Sequence, residues 1–182
     1  FSKSGPTGLT GAVTFASLMP VIRVAWGTGR GPTETAAYDR ALAAANVHNY
    51  NLVTVSSVIP ADLSVERVDT APDLGPIGHQ LTVVQAESTV AGPGVTSAGL
   101  AWTTGEGPGL FYESAGPSEP GAVERRVREG IEAGLAFRDW EAPSIETQTA
   151  SIEADSGEYA SSVVVAAYGR ARPITTVTTE RR

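Results

Sequence analysis

The 182-residue chain contains no cysteine. That absence removes a disulfide framework and thiolate metal sites together, and only His48 and His79 remain to offer imidazole, so no metal is expected. Lysine is nearly as scarce. Of 13 basic residues a single one, Lys3, is lysine, and it lies in the terminal stretch "FSKSGPTGLTGAVTFASL". A pyridoxal phosphate enzyme carries its Schiff-base lysine inside the fold, so the sequence argues against that cofactor. Long apolar runs are missing too: nothing approaches the roughly 20 residues of a membrane span, so a soluble protein without a membrane partner is expected.

What is present is a chain long enough for one domain, 41% hydrophobic and rich in alanine and glycine. A net charge of −7 opposes nucleic acid and anionic lipid, and suits either solubility or a small cationic partner. An acidic, lysine-poor composition is what a high-salt cytoplasm would favour.

Residues 1–18 read as a loose extension rich in Gly, Ser and Thr, with the folded domain starting near Met19 and running to about residue 171. A signal peptide is disfavoured, because Pro20 and Arg23 follow before an apolar core can form. Residues 172–182 form a polar, threonine-rich tail. Between the ends, periodicity predicts strands at 21–26, 51–57, 80–88, 95–103, 109–114, 145–153 and 160–168, with helices at 34–46 and 119–138. In the longer helix Val123, Val127, Ile131 and Leu135 form one apolar stripe, with Ser118 as N-cap and Pro120 in the first turn. The stretch "VIPADLSVERVDTAPDLGPIG" reads as a connection punctuated by Pro and Gly. The class is α+β, with a large sheet component and no sequence repeat.

Three stretches invite a chemical reading. "GTGRGP", residues 27–32, follows a strand and precedes a helix as a phosphate loop does, but its glycine spacing fits neither nucleotide motif, and a turn into the helix is the simpler reading. "ASSVVVAAY" carries the pair Ser161 and Ser162 within an ordinary strand. "NLVTVSSVIP", residues 51–60, alternates like a buried strand and stops on Ser56 and Ser57. A serine hydrolase would need a histidine and an acid around the nucleophile, and GxSxG is absent. Another chemistry needs no histidine. The Ser57 hydroxyl can attack the carbonyl before it, if a strained turn aligns the two and the oxyanion is held, and the resulting ester can eliminate to leave a pyruvoyl group at a new amino terminus.

"NLVTVSSVIP", preceded by "AAYDRALAAANVHNY" and followed by "GPGLFYESAG" at 107–116, resembles the pyruvoyl-dependent arginine decarboxylases of archaea and some bacteria. The resemblance spans roughly residues 21 to 170. It implies an αββα layered sandwich, autocatalytic cleavage between Ser56 and Ser57, and a pyruvoyl group derived from Ser57. It further implies decarboxylation of L-arginine to agmatine and carbon dioxide by a homotrimer, or a dimer of trimers, with sites between subunits. Ser56 would end the small fragment. Asn51, beside the cleaved bond, would hold a carbonyl oxygen and orient substrate; Glu113, closing an apolar strand, would deliver the proton; Asp39 would meet the guanidinium. Read without the family, Asn51 is a strand-start turn residue, Glu113 an exposed glutamate, and Asp39 part of a solvated helix face. Thr35 stands where the family often carries an aliphatic pocket residue, and His48 and Tyr50 replace smaller residues. A paralogue that never cleaves itself and serves as a binding or regulatory subunit is the alternative; the presence of Asn51, Ser56, Ser57 and Glu113 together argues against it.

Overall fold

The structure, a computed structural model, describes residues 20–140 and 143–174. The expected extension at 1–18 and tail residues 175–182 lie outside the described residues. Nine strands and two helices are found among those described: β1 (Val21–Gly31), α1 (Glu34–Ala44), β2 (Asn51–Thr54), β3 (Val58–Ile59), β4 (Ser64–Asp69), β5 (Gln80–Ala91), β6 (Gly94–Thr103), β7 (Gly109–Gly116), α2 (Pro120–Leu135), β8 (Glu146–Ala154) and β9 (Tyr159–Tyr168). They form a five-stranded sheet in the order β2-β5-β9-β1-β4 and a four-stranded sheet in the order β3-β7-β6-β8.

Three apolar clusters fix how the layers stack. Ile22, Val24, Val84, Val164 and Ala166 of the first sheet meet Ala98, Leu100, Trp102 and Phe111 of the second. Alternate residues of the same strands, Ala25, Val83, Val163 and Val165, point the other way and bury Ala41, Leu42 and Ala45 of α1. On the far side Ala101 and Leu110 receive Val127 and Ile131 of α2. The period-2 alternation of strands with both faces covered thus yields four layers, α1, sheet, sheet and α2, which is the αββα sandwich expected. Each fully buried Val, Leu or Ile contributes about 1.5–3 kcal/mol of hydrophobic stabilisation.

Three local readings are corrected. "GTGRGP" is no turn: β1 runs through it to Gly31, and its glycines at 27, 29 and 31 share the face under α1. A Cβ on Gly29 would lie 2.5 Å from the Ala41 nitrogen and 2.6 Å from the Ala37 carbonyl oxygen, so glycine opposite alanine is what lets helix and strand touch backbone to backbone. Glu119, not Ser118, occupies the N-cap of α2, with Pro120 following; the Ser118 hydroxyl instead accepts from Arg126 Nη2 at 3.1 Å. The connection "VIPADLSVERVDTAPDLGPIG" also hides β3 and β4. β4 lies parallel to β1 at the sheet edge, where neither a strong apolar alternation nor a hairpin turn announces it.

Candidate active site

β2 is short, exposed and at an edge rather than buried: it pairs with β5 only from Asn51 to Thr54, and one further hydrogen bond joins the Val55 N–H to the Val83 carbonyl. The chain then leaves the five-stranded sheet and crosses to the other, where β3 pairs with β7. Ser56 and Ser57 sit in this crossing, which is why the strand pattern stops at them.

Three successive carbonyls, those of Ser56, Ser57 and Val58, are held. The Val58 N–H donates back to the Ser56 carbonyl at 2.9 Å, closing a three-residue turn on Ser57. The Phe111 N–H donates to the Ser57 carbonyl at 2.7 Å, and the Tyr168 hydroxyl to the Val58 carbonyl at 3.0 Å. Ser57 is not among the residues with positive φ, so the strained backbone expected here is not found, and the turn is closed by hydrogen bonds instead. Burial, and to a smaller degree the Glu113 charge, push the Tyr168 phenol up to about 12, so it stays a donor throughout the neutral range.

The Ser57 hydroxyl donates to Glu113 Oε2 at 2.9 Å. Glu113 does not close β7, as expected from sequence, but lies within it opposite Leu100 of β6. It shares the alternation of Phe111 and so points toward the gap between the sheets, at the edge where β3 has ended; in the single chain it is exposed. A pocket of about 370 Å³ opens here, lined by Ser56, Ser57, Val58, Tyr112, Glu113 and Arg138 among others. A pyruvoyl group keeps the three carbons of Ser57 and lacks its nitrogen, so one formed in place needs no more room than the serine occupies.

The remaining expected site residues are not gathered here within one chain. The Asn51 side chain donates to the Gly78 carbonyl at 2.6 Å, at the opposite end of β2 from the serines; the extended residues alone separate them by roughly 10 Å. Asp39 and Thr35 are exposed on α1, over the outer face of the five-stranded sheet. Thr35 borders a different hollow with Glu34, Tyr38 and Glu87. Tyr50 acts structurally, since its hydroxyl donates to the Gly75 carbonyl and accepts from the Leu74 N–H, pinning the loop before β5.

Tyr168 and Arg138 were not found by sequence reasoning. Tyr168 ends a strand whose apolar run reads as core, and Arg138 follows a helix as one of many charged residues. No local signal distinguishes either. Among the described residues there is no group of three or more His, Cys, Asp or Glu side chains placed to hold a metal, and no helix is long and apolar enough to cross a membrane.

A four-layer αββα sandwich with a serine pair turned against a carboxylate at its open edge is the class of protein this fold and site define. The profile of the pyruvoyl-dependent arginine decarboxylases matches residues 21–173. The pyruvoyl-dependent arginine decarboxylase of Halobacterium salinarum is 60% identical over 159 residues, covering 86% of this chain and 98% of that protein. Those of Pyrococcus horikoshii and Thermococcus sibiricus are 36% and 34% identical, over 67% and 69% of this chain and 78% and 80% of theirs. The chain belongs to the pyruvoyl-dependent arginine decarboxylase family.

Proposed function

We propose that this protein decarboxylates L-arginine to agmatine and carbon dioxide, using a pyruvoyl group made from its own Ser57. The observation that carries the proposal is the 2.9 Å hydrogen bond from Ser57 to Glu113, at a turn whose Ser56 carbonyl already receives the Val58 N–H, in a chain of this family. The first reaction is on the chain itself. Ser57 Oγ adds to the Ser56 carbonyl carbon and its proton passes to Glu113, while the developing oxyanion lies where Val58 already donates. The Ser56–Ser57 amide bond breaks and an ester takes its place. Loss of the Ser57 α-proton expels Ser56 as a free carboxylate, and hydrolysis of the remaining enamine releases ammonia and leaves a ketone. The sum consumes one water and no oxidant.

A pyruvoyl group at position 57 supplies a ketone that takes up the substrate amine and accepts the electron pair left when carbon dioxide departs. The chain's own residues do the rest. Glu113 holds a proton at Oε2 beside position 57 and returns it to the substrate α-carbon. Asp39 pairs with the guanidinium in a two-pronged, charge-assisted contact, Thr35 borders that pocket, Ser56 lines the approach, and Asn51, set apart from the serine turn within its own chain, orients the substrate from a second copy.

Asp39 and Thr35 lie over the far face of the other sheet from Ser57, so they reach the substrate from a second copy of the chain. Val53, Val55 and Val58, exposed at 39%, 37% and 44%, offer apolar surface beside the serines for such a contact. In this reading a homotrimer, or a dimer of trimers, is the working assembly, in the cytoplasm that the acidic, lysine-poor composition suits.

Denaturing mass spectrometry with a carbon dioxide release assay tests the proposal. Purified protein is expected as two chains divided between Ser56 and Ser57, the larger lighter than its encoded mass by one ammonia, and active on L-arginine; Ser57→Ala is expected as one intact, inactive chain. Wild-type protein that remains whole under folding conditions would leave the uncleaved paralogue as the better account.

A further inference from the structure

We infer that Arg138 is the carboxylate-recognition residue of the pocket, binding the α-carboxylate that the substrate carries and the product has lost. The inference rests on the function proposed above and adds to it the residue that separates substrate from product.

Three observations support it. First, Arg138 and Glu113 are the two charged residues lining the pocket at Ser57, and no carboxylate among the described residues lies within 4 Å of the Arg138 guanidinium. Arg138 is therefore the one cation that this chain's described residues bring to the pocket beside position 57, where an amino acid joined to that position carries its carboxylate. Second, the guanidinium is held in place. Nη1 donates to the Gly134 carbonyl at 2.6 Å, and the guanidinium carbon lies 4.3 Å from the Phe137 ring centroid and 5.2 Å from that of Trp140, within cation–π range. One hydrogen bond among five possible donors leaves the planar fork able to make the two-pronged contact that carboxylates favour. Third, the turn bearing Arg138 is keyed to the strand bearing Glu113. Tyr112 packs so closely on α2 that a Cβ on Gly134 would lie 2.6 Å from the Tyr112 hydroxyl, and one on Gly130 2.5 Å from its ring. Cation and acid are thus fixed relative to each other by neighbouring contacts of one strand.

The charge balance gives this contact a defined effect. The carboxylate becomes neutral as carbon dioxide forms, so a cation opposite it stabilises the bound substrate more than the transition state. Arg138 therefore favours capture of substrate and release of product, and its removal raises KM without lowering kcat.

The test uses processed protein, with chain cleavage of each variant checked first by mass spectrometry. Arg138→Gln is expected to raise KM for L-arginine by about 10- to 100-fold, the range for a lost charge-assisted contact, while kcat holds or rises. Inhibition by agmatine, which has no carboxylate, stays the same or strengthens. Arg138→Lys, which keeps the charge but loses the fork, is expected to give a smaller rise with the same indifference to agmatine. An unchanged KM, or arginine and agmatine weakened in parallel, overturns the assignment. So does loss of chain cleavage in both variants, because Arg138 then serves folding or processing. Wild-type protein that is uncleaved or inactive on arginine instead overturns the proposed function, before any variant is compared.

Discussion

Ser57 and Glu113, 56 positions apart in sequence, meet through a 2.9 Å hydrogen bond across the open edge of the sandwich. In the mechanism we propose, Glu113 accepts the hydroxyl proton in chain cleavage and donates a proton in turnover, so one carboxylate would serve two reactions. Glu113→Gln is accordingly expected to slow cleavage, and to lower kcat of the cleaved fraction by about 10²- to 10⁴-fold, the usual worth of a positioned acid. A time course of chain masses together with carbon dioxide release separates the two effects. Wild-type rates in both would assign the proton to another group.

Asp39 is exposed on α1 and far from the serine turn within its own chain. Asp39→Asn should leave cleavage intact and raise KM for L-arginine, since loss of one partner of a buried charge-assisted pair costs about 2–5 kcal/mol. Steady-state kinetics on fully cleaved protein measure it. An unchanged KM removes Asp39 from the pocket.

Tyr168 anchors the Val58 carbonyl, and Tyr168→Phe deletes that hydrogen bond while keeping the ring's edge contact with Phe111. Slower chain cleavage is expected, because the turn loses one of its three restraints. The phenol also predicts an alkaline effect. Its folded value, about 12, exceeds the usual 10, so the neutral form is favoured by folding. That contribution is complete below about pH 10 and is lost as pH rises toward about 12. Urea unfolding at about pH 9 and about pH 11.5 should show Tyr168→Phe losing less stability over that interval than wild type. An equal loss in both would place the alkaline sensitivity elsewhere.

Gly29 lies where β1 and α1 make backbone contact, and the added methyl of Gly29→Ala would meet main-chain atoms that cannot rotate away. Destabilisation of about 1–3 kcal/mol is expected, as for other overpacked sites. Gly121→Ala serves as the control, since nothing lies within 4 Å of a Cβ there. Thermal unfolding of the two variants checks the contrast.

The amino-acid sequence by itself determined the elements whose periodicity is strong. α2 is legible because Val123, Val127 and Ile131 recur at helical spacing, and β5, β6 and β9 because their alternation is dictated by one layer on each side. The serine pair and the family were legible for another reason: three stretches carry an ordered set of residues that local chemistry alone does not require. Tertiary structure decided what depends on neighbours remote in the chain. "GTGRGP" is a strand because Ala37 and Ala41 demand glycine beneath them, a requirement invisible without the packed helix. β2 is an exposed edge because β5 pairs with it over only four residues. Tyr168 and Arg138 join the site because a strand end and a helix end from elsewhere in the chain close around the turn at Ser57. Periodicity reports which face of an element is buried, whereas the partner it is buried against is set by long-range packing, and it is that partner which turns a serine, a tyrosine and an arginine into one site.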